Sequence, residues 1–147
     1  MRRLTFVAAL AALAVLAAGV SATTAAATTR HRVALTLVGA QIGPTETVYD
    51  VHGTSRGALV QLFKTNATAT GGTSTSTFYD GQGTQVGREA YTLSPPDASG
   101  IITITGTGRD VSGTGKYKGI KGTYKFTGTF NTQTTVTSVK VVGTQTY

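Results

Sequence analysis

The chain has 147 residues and no cysteine, so it can form neither a disulfide bond nor a thiolate metal site. It has 13 lysines and arginines against 6 aspartates and glutamates, which gives a net charge of +7, and it has only 2 histidines. Zinc and iron–sulfur chemistry are therefore not expected. We predict that the protein uses neither a metal nor a cofactor.

The first 27 residues have the three parts of a secretory signal peptide. Two arginines follow Met1, an unbroken apolar run covers Leu4 to Val20, and small residues permit cleavage after Ala22 or Ala27. An uncleaved membrane anchor is the alternative, although the run is short and rich in alanine for a spanning helix. Residues 1–27 thus predict a secreted, extracellular protein without stable membrane insertion after cleavage, and residues 28–147 predict one domain.

Residues 28–147 show no helical pattern, and they are rich in threonine, valine, glycine and aromatic residues that favour strands. Alternation between turn clusters predicts eight strands. These strands are Val33–Gly39, Thr47–His52, Ala58–Lys64, Ser74–Tyr79, Gln85–Leu93, Ile101–Thr107, Gly122–Phe130 and Thr135–Thr146. Such an all-β chain favours a sandwich or a barrel, and closure into one antiparallel β-barrel leaves no exposed edge.

The two-residue alternation of side chains along a strand predicts which side chains of the seventh predicted strand face the core. Tyr124, Phe126 and Phe130 share one face, and the alternating threonines and Lys125 share the other. We therefore expect the aromatic set to point inward and the threonines to face solvent.

Four lysines at 116, 118, 121 and 125 concentrate positive charge in one predicted hairpin. This cluster could bind an anionic partner, or it could keep a sheet edge soluble. The aromatic residues between the lysines fall on the opposite strand face, which favours the second interpretation. We do not expect nucleic acid as a partner, because the protein is predicted to be exported.

Candidate catalytic residues are the charged residues on otherwise apolar strands. Glu89 shares a face with Tyr91, whereas Arg88 points the other way. An interior Glu89 could act as an acid or base, and an interior Arg88 could hold a ligand carboxylate. If neither is interior, the two form surface contacts of under about 1 kcal/mol.

Asp50 and His52 lie two residues apart on one predicted strand, so they share a face and could form an acid–base pair. The alternative is a polar strand end beside the turn at Gly53. Arg109 and Asp110 follow a G-T-G sequence and are expected to satisfy backbone groups of a turn. The candidate catalytic residues are thus Glu89, Arg88 and Asp50.

The segment from Gly106 to Thr129 resembles the carboxy-terminal half of the dirigent and allene oxide cyclase superfamily, as found in secreted bacterial proteins. The matching elements are Gly108-Arg109, the turn G-T-G-K-Y-K-G at 113–119 and Ile120-Lys121-Gly122. This resemblance implies an eight-stranded, calycin-like antiparallel barrel. It also implies that a reactive apolar intermediate is bound and guided through a cyclisation or coupling. The matched motif is structural, and no catalytic residue of the superfamily is carried over.

We therefore expect a secreted barrel that binds a small apolar ligand, without a cofactor, and that guides its cyclisation or coupling. Expected ligand contacts, besides the catalytic candidates, are Tyr91, Tyr124 and His52. The alternative is a non-catalytic extracellular barrel that binds a cell-wall polymer or a protein through its surface. An apolar cavity with Glu89 or Arg88 inside favours ligand binding, whereas a filled interior favours surface binding. The sequence does not indicate an oligomeric state.

Overall fold

A computed structural model describes residues 29–147. The predicted signal peptide, residues 1–27, lies outside the described residues. Among the described residues, no helix is long and apolar enough to cross a membrane. The structure consists of eight strands and one short 3-10 turn, η1. The elements are β1 (Arg30–Gly43), β2 (Glu46–Gly53), β3 (Gly57–Thr65), β4 (Gly71–Asp80), β5 (Gly83–Leu93), β6 (Ile101–Gly113), η1 (Gly115–Tyr117), β7 (Lys121–Asn131) and β8 (Val136–Thr146).

The eight strands form a closed antiparallel barrel in which every strand pairs with its neighbour in the sequence. Closure comes from pairing between β1 and β8, for example Leu37 with Val139. The prediction of a single eight-stranded antiparallel barrel is confirmed. Because the first and last strands pair with each other, no strand is left with an unpaired edge.

Strand β6 runs six residues beyond its predicted end at Thr107, as far as Gly113. Gly106 lies within the predicted strand and Gly108 lies just beyond its predicted end, and both are strand residues opposite Phe126 and Tyr124 of β7. A methyl group at either glycine would lie 2.3 Å from the facing aromatic ring. These glycines therefore leave room for aromatic side chains that fill the barrel, and they do not mark a turn.

The core consists of inward-facing side chains from all parts of the barrel. Its buried hydrophobic members are Val33, Leu37, Tyr49, Val51, Phe78, Tyr91, Tyr117, Ile120, Phe126, Val139 and Val141. On β7, Phe126 is buried, Tyr124 and Phe130 are half-buried, and the alternating threonines are exposed. The predicted facing of this strand is confirmed.

The G-T-G-K-Y-K-G segment closes part of one end of the barrel, which we call the Tyr117 end. The Tyr117 side chain is completely buried and packs edge-on against Phe78 and Tyr147. Its hydroxyl donates a hydrogen bond to Asp80, whose Oδ2 also lies 2.9 Å from the ammonium of Lys116. Burial opposes ionisation of Asp80, but the Tyr117 hydroxyl and Lys116 together lower its pKa. The segment is therefore a structural cap.

Candidate functional site

A cavity of about 160 Å³ lies inside the barrel. Most of its wall is apolar, with contributions from Val33, Leu35, Leu37, Leu59, Phe63, Phe78, Ile104, Phe126, Val139 and Val141. Its lining also includes Arg32 and Thr54, which are exposed residues at the Tyr117 end. The cavity therefore reaches solvent at this end, between the start of β1 and the loop after β2.

Glu89 of β5 projects into this cavity, and only 6% of the residue is exposed. Its Oε2 accepts a hydrogen bond from the Ser74 hydroxyl at 2.7 Å. Its Oε1 accepts hydrogen bonds from Ser76 and Tyr124, both at 2.6 Å. These distances are typical of hydroxyl donors to an ionised carboxylate. Three donors offset the cost of burying the charge in an apolar interior.

A chain of hydrogen bonds across four strands orients one of these donors. The Tyr49 hydroxyl on β2 donates to the Gln61 carbonyl on β3 at 3.1 Å, and the Gln61 amide donates to Ser74 Oγ on β4 at 3.0 Å. Since Ser74 Oγ accepts from Gln61, its own proton is free to point at Glu89. The donors of β2, β3 and β4 are therefore aligned toward one acceptor on β5.

A glycine next to Glu89 on the inner face makes this arrangement possible. Gly87 lies two residues before Glu89 and thus on the same face of β5. A methyl group there would lie 2.2 Å from the Tyr124 hydroxyl and 2.7 Å from Glu89 Oε1. The carboxylate and its tyrosine donor occupy the space that a larger residue at position 87 would fill.

Both tyrosines of the network are held in their protonated, donating form. Burial, followed by the negative charge of Glu89, raises the pKa of Tyr124 far above its ordinary value of 10.0. Burial also raises the pKa of Tyr49 to about 12. Both hydroxyls therefore remain hydrogen-bond donors across the physiological pH range.

Asp110 supplies a second carboxyl group to the cavity lining. Its Oδ2 is buried and has no hydrogen-bond partner among the described residues. Burial raises the pKa of Asp110 from 3.8 to about 6. The expectation that Arg109 and Asp110 belong to a turn was wrong, because both lie within β6 and point to opposite faces.

Three of the candidate residues from the sequence meet in the barrel interior. Glu89 and Tyr124 are hydrogen-bonded to each other, and Tyr91 is buried beside them in the cavity wall. The Tyr91 hydroxyl lies 3.0 Å from Thr65 Oγ1 at the end of β3. The structure thus answers which of Arg88 and Glu89 faces inward. The roles of these residues in binding or catalysis remain predictions.

Arg88, Asp50 and His52 lie on the outer surface of the barrel, so their expected place in the cavity wall was wrong. Tyr49 and Val51 take the inward positions of β2, and alternation therefore turns Asp50 and His52 outward. Asp50 Oδ2 and His52 Nε2 are 2.8 Å apart on this exposed face. The pair is a polar contact near a strand end, as the alternative interpretation stated.

The sequence alone did not identify the polar partners of Glu89. Ser74 and Ser76 alternate with outward threonines on β4, and Phe78 continues the same inner face. This alternation is a signal that could have identified the two serines. A serine is ordinarily expected to face solvent, however, unless the residues on the neighbouring strands are known. Among residues 29–147, no group of three or more histidine, cysteine, aspartate or glutamate side chains could hold a metal ion.

No family model, no curated protein and no solved structure matches this chain. The superfamily resemblance of residues 106–129 therefore stays a prediction, and the barrel and its cavity carry the functional argument.

Proposed function

We propose that this protein binds a small, mostly apolar molecule inside the barrel and that Glu89 orients the bound molecule. The observation that carries this proposal is a buried carboxylate in an otherwise apolar cavity, held by three hydroxyl donors. An apolar pocket with a few convergent polar groups is the usual form of a small-molecule site. A barrel that only needed to fill its interior would be more stable with an apolar side chain at this position.

Glu89 retains the capacity to bond a ligand. A carboxylate offers about four acceptor positions on its two oxygens. Oε1 accepts two hydrogen bonds and Oε2 accepts one, which leaves one position on Oε2 without a partner among the described residues. A ligand hydroxyl or amine could donate to this position, and an acidic C–H or O–H group could transfer a proton to it.

The cavity volume limits the size of the ligand. A protein cavity of about 150 Å³ lined by apolar residues can hold a benzene molecule, and this cavity measures about 160 Å³. The protein would therefore take a molecule near the size of one ring, or a larger one whose remainder extends past Arg32 and Thr54 to solvent.

If the bound molecule reacts, the chemistry would be a cyclisation or coupling that needs no cofactor. A shaped, water-poor cavity favours one conformation of a flexible substrate over the others. Glu89 would act as the base or as a negative charge near the reacting carbon, and Tyr124, whose hydroxyl donates to Glu89, would hold the carboxylate in position. This finer assignment follows the superfamily resemblance, and secretion follows from residues 1–27.

Phenol is a suitable probe, because it combines one ring with one hydroxyl donor. We expect calorimetric titration to show saturable binding of phenol at one site. In Glu89→Gln the affinity should fall about tenfold, because a neutral acceptor loses the charge-assisted part of the hydrogen bond. Arg88→Gln is the matched control, since its side chain lies one residue away on the outer face, and its affinity should remain within about twofold of the original.

Equal phenol affinity in the original protein and in Glu89→Gln would contradict the assigned role of Glu89.

Native mass spectrometry of the protein purified from its own growth medium would identify the natural ligand. We expect a bound small apolar molecule that is lost in Glu89→Gln and retained in Arg88→Gln. A bound molecule retained in both variants would place the ligand elsewhere.

A further inference from the structure

The outer face of the barrel that is formed by β5, β6, β7, β8 and β1 carries basic side chains and no acidic one. We call this face the basic wall. All of its basic residues are exposed, and they are Arg30, Arg32, Arg88, Arg109, Lys121, Lys125 and Lys140. The six acidic residues of the sequence lie elsewhere, in the barrel interior, on β2, at the end of β4 and in the loop after β5. The charge of the protein is therefore concentrated on one side.

The strand register places these cations next to one another. Arg88 and Arg109 are direct partners in the β5–β6 ladder. Arg109 is paired with Thr123, Thr123 with Thr144, and Thr144 with Arg32. This row across five strands thus has arginines at both ends and threonines between them. Like charges directly opposite in a sheet are destabilising, so the arrangement costs stability unless an anion lies over it.

Two concave regions of the basic wall share Arg109. One has a volume of about 620 Å³ and is lined by Arg88, Arg109 and Lys125 among others. The second has a volume of about 430 Å³ and includes Arg30, Arg109 and Lys121 in its lining. Five cations therefore surround one extended, shallow surface. It is larger than a single small anion requires, and it fits a ligand with several negative charges in sequence.

Within the part of the chain that the structure describes, no acidic side chain forms an ion pair with a cation of the basic wall. The ion pairs among residues 29–147 are Lys116 with Asp80 and His52 with Asp50, both outside this wall. Asp110 contributes to the lining of the second concave region, but alternation along β6 directs its side chain to the barrel interior, and it forms no ion pair with Arg30, Arg109 or Lys121. The positive charge of the basic wall is thus available to an external partner.

The side chains between the cations indicate which class of polyanion fits. The other outward side chains that line the two concave regions are four threonines, at positions 107, 123, 144 and 146, and Val142, and none of them is aromatic. Binding to single-stranded nucleic acid uses aromatic side chains for stacking, and binding to a membrane surface uses inserted aromatic or leucine side chains. Threonine hydroxyls can donate to and accept from the hydroxyl groups of sugars. The chemistry favours a charged polymer with many hydroxyl groups.

We propose that the basic wall binds a linear acidic polysaccharide, with Arg88 and Arg109 at the centre of the contact. This site lies on the outside of the barrel, and Arg32 is the basic residue that it shares with the cavity opening. Such binding would hold the protein on an anionic glycan matrix.

Polygalacturonate serves as the probe, and uncharged dextran is its control. At about 0.1 M salt we expect measurable binding of polygalacturonate and none of dextran. The double variant R88Q/R109Q should bind roughly tenfold more weakly. The slope of its log affinity against log salt concentration should correspond to about two fewer ionic contacts. The matched control is R56Q/K64Q, which removes the same two charges from exposed positions outside the basic wall. Its affinity should remain within about twofold.

Equal weakening in both double variants would overturn the proposal, because binding would then depend on net charge alone. Absence of polygalacturonate binding would also overturn it. Two other polyanions are tested in the same buffer: vesicles in which half of the phospholipid is anionic, and a DNA duplex. Stronger binding to either one than to polygalacturonate would assign the basic wall to a different partner. Phenol titration of R88Q/R109Q checks the cavity separately, and it should give the affinity of the original protein.

Discussion

Replacement of Asp110 by asparagine should stabilise the protein at neutral and alkaline pH. The Asp110 carboxyl is largely buried, and its Oδ2 has no partner among the described residues. An ionised form at this site therefore loses hydration, and interaction with the Gln145 side chain compensates only in part. Asparagine has nearly the same shape and never carries the charge, so the variant removes this cost.

The size of the effect follows from the pKa of Asp110. Burial raises it from 3.8 to about 6, a difference of 6 − 3.8, or about 2.2. At about 1.36 kcal/mol for each pKa unit, this difference corresponds to an upper limit of about 3 kcal/mol. The side chain is partly accessible, and solvent screening reduces the penalty. We therefore expect a gain of about 1.5 kcal/mol in the free energy of unfolding.

The sign of the pH dependence is specific. The folded protein holds the Asp110 proton more tightly than the unfolded chain does, because the folded pKa is the higher one. Ionisation in the unfolded chain therefore lowers the free energy of unfolding as pH rises from about 4 to about 6, and the loss is constant above that range. The stabilisation by Asp110→Asn should thus be complete at pH 8 and absent at pH 4.

Urea denaturation at pH 8 and pH 4 measures this difference, with tyrosine fluorescence as the signal because the chain has six tyrosines and no tryptophan. Asp50→Asn is the control, since it removes an exposed carboxylate from β2, and it should change stability by less than about 0.5 kcal/mol at either pH. An equal effect of Asp110→Asn at both pH values would show that the buried charge of Asp110 is not the cause. A loss of stability at pH 8 would show that the charge is compensated in the folded protein.

Three further substitutions test the packing of the barrel, and urea denaturation at pH 7 measures each of them. Gly106→Ala should lower the free energy of unfolding by about 2 kcal/mol, because its methyl group would lie 2.3 Å from the aromatic ring facing it on β7. Gly81→Ala is the control, and it should be close to neutral because no atom lies within 4 Å of the added methyl group. Tyr117→Phe should cost about 1–2 kcal/mol, because it removes the hydrogen bond to Asp80 at a completely buried site. Gly119→Ala should cost about 1 kcal/mol, because the residue has a φ of +79° in open space. A neutral Gly106→Ala, a neutral Tyr117→Phe or a stabilising Gly119→Ala would each contradict the corresponding packing argument.

Strand content, and through it the fold class, could be predicted from the order of the amino acids alone. Period-two alternation and glycine- or proline-containing turns placed all eight strands, with errors mainly at their ends. Alternation also determined that Glu89 and Tyr91 share a face and that Arg88 points to the other one. This rule is local, because neighbouring side chains on a strand always point to opposite faces.

Assembly of the strands into the barrel determines which of the two faces of each strand lies inside and which residues meet there. Asp50 and His52 face outward because Tyr49 and Val51 fill the interior, and local alternation fits either choice. Ser74, Ser76 and Tyr124 reach Glu89 from two other strands, and Gly108 belongs to a strand because the ring of Tyr124 needs its space. The basic wall likewise depends on the β8–β1 pairing that closes the barrel. These features depend on the register between strands distant in sequence, and barrel closure and side-chain packing fix that register.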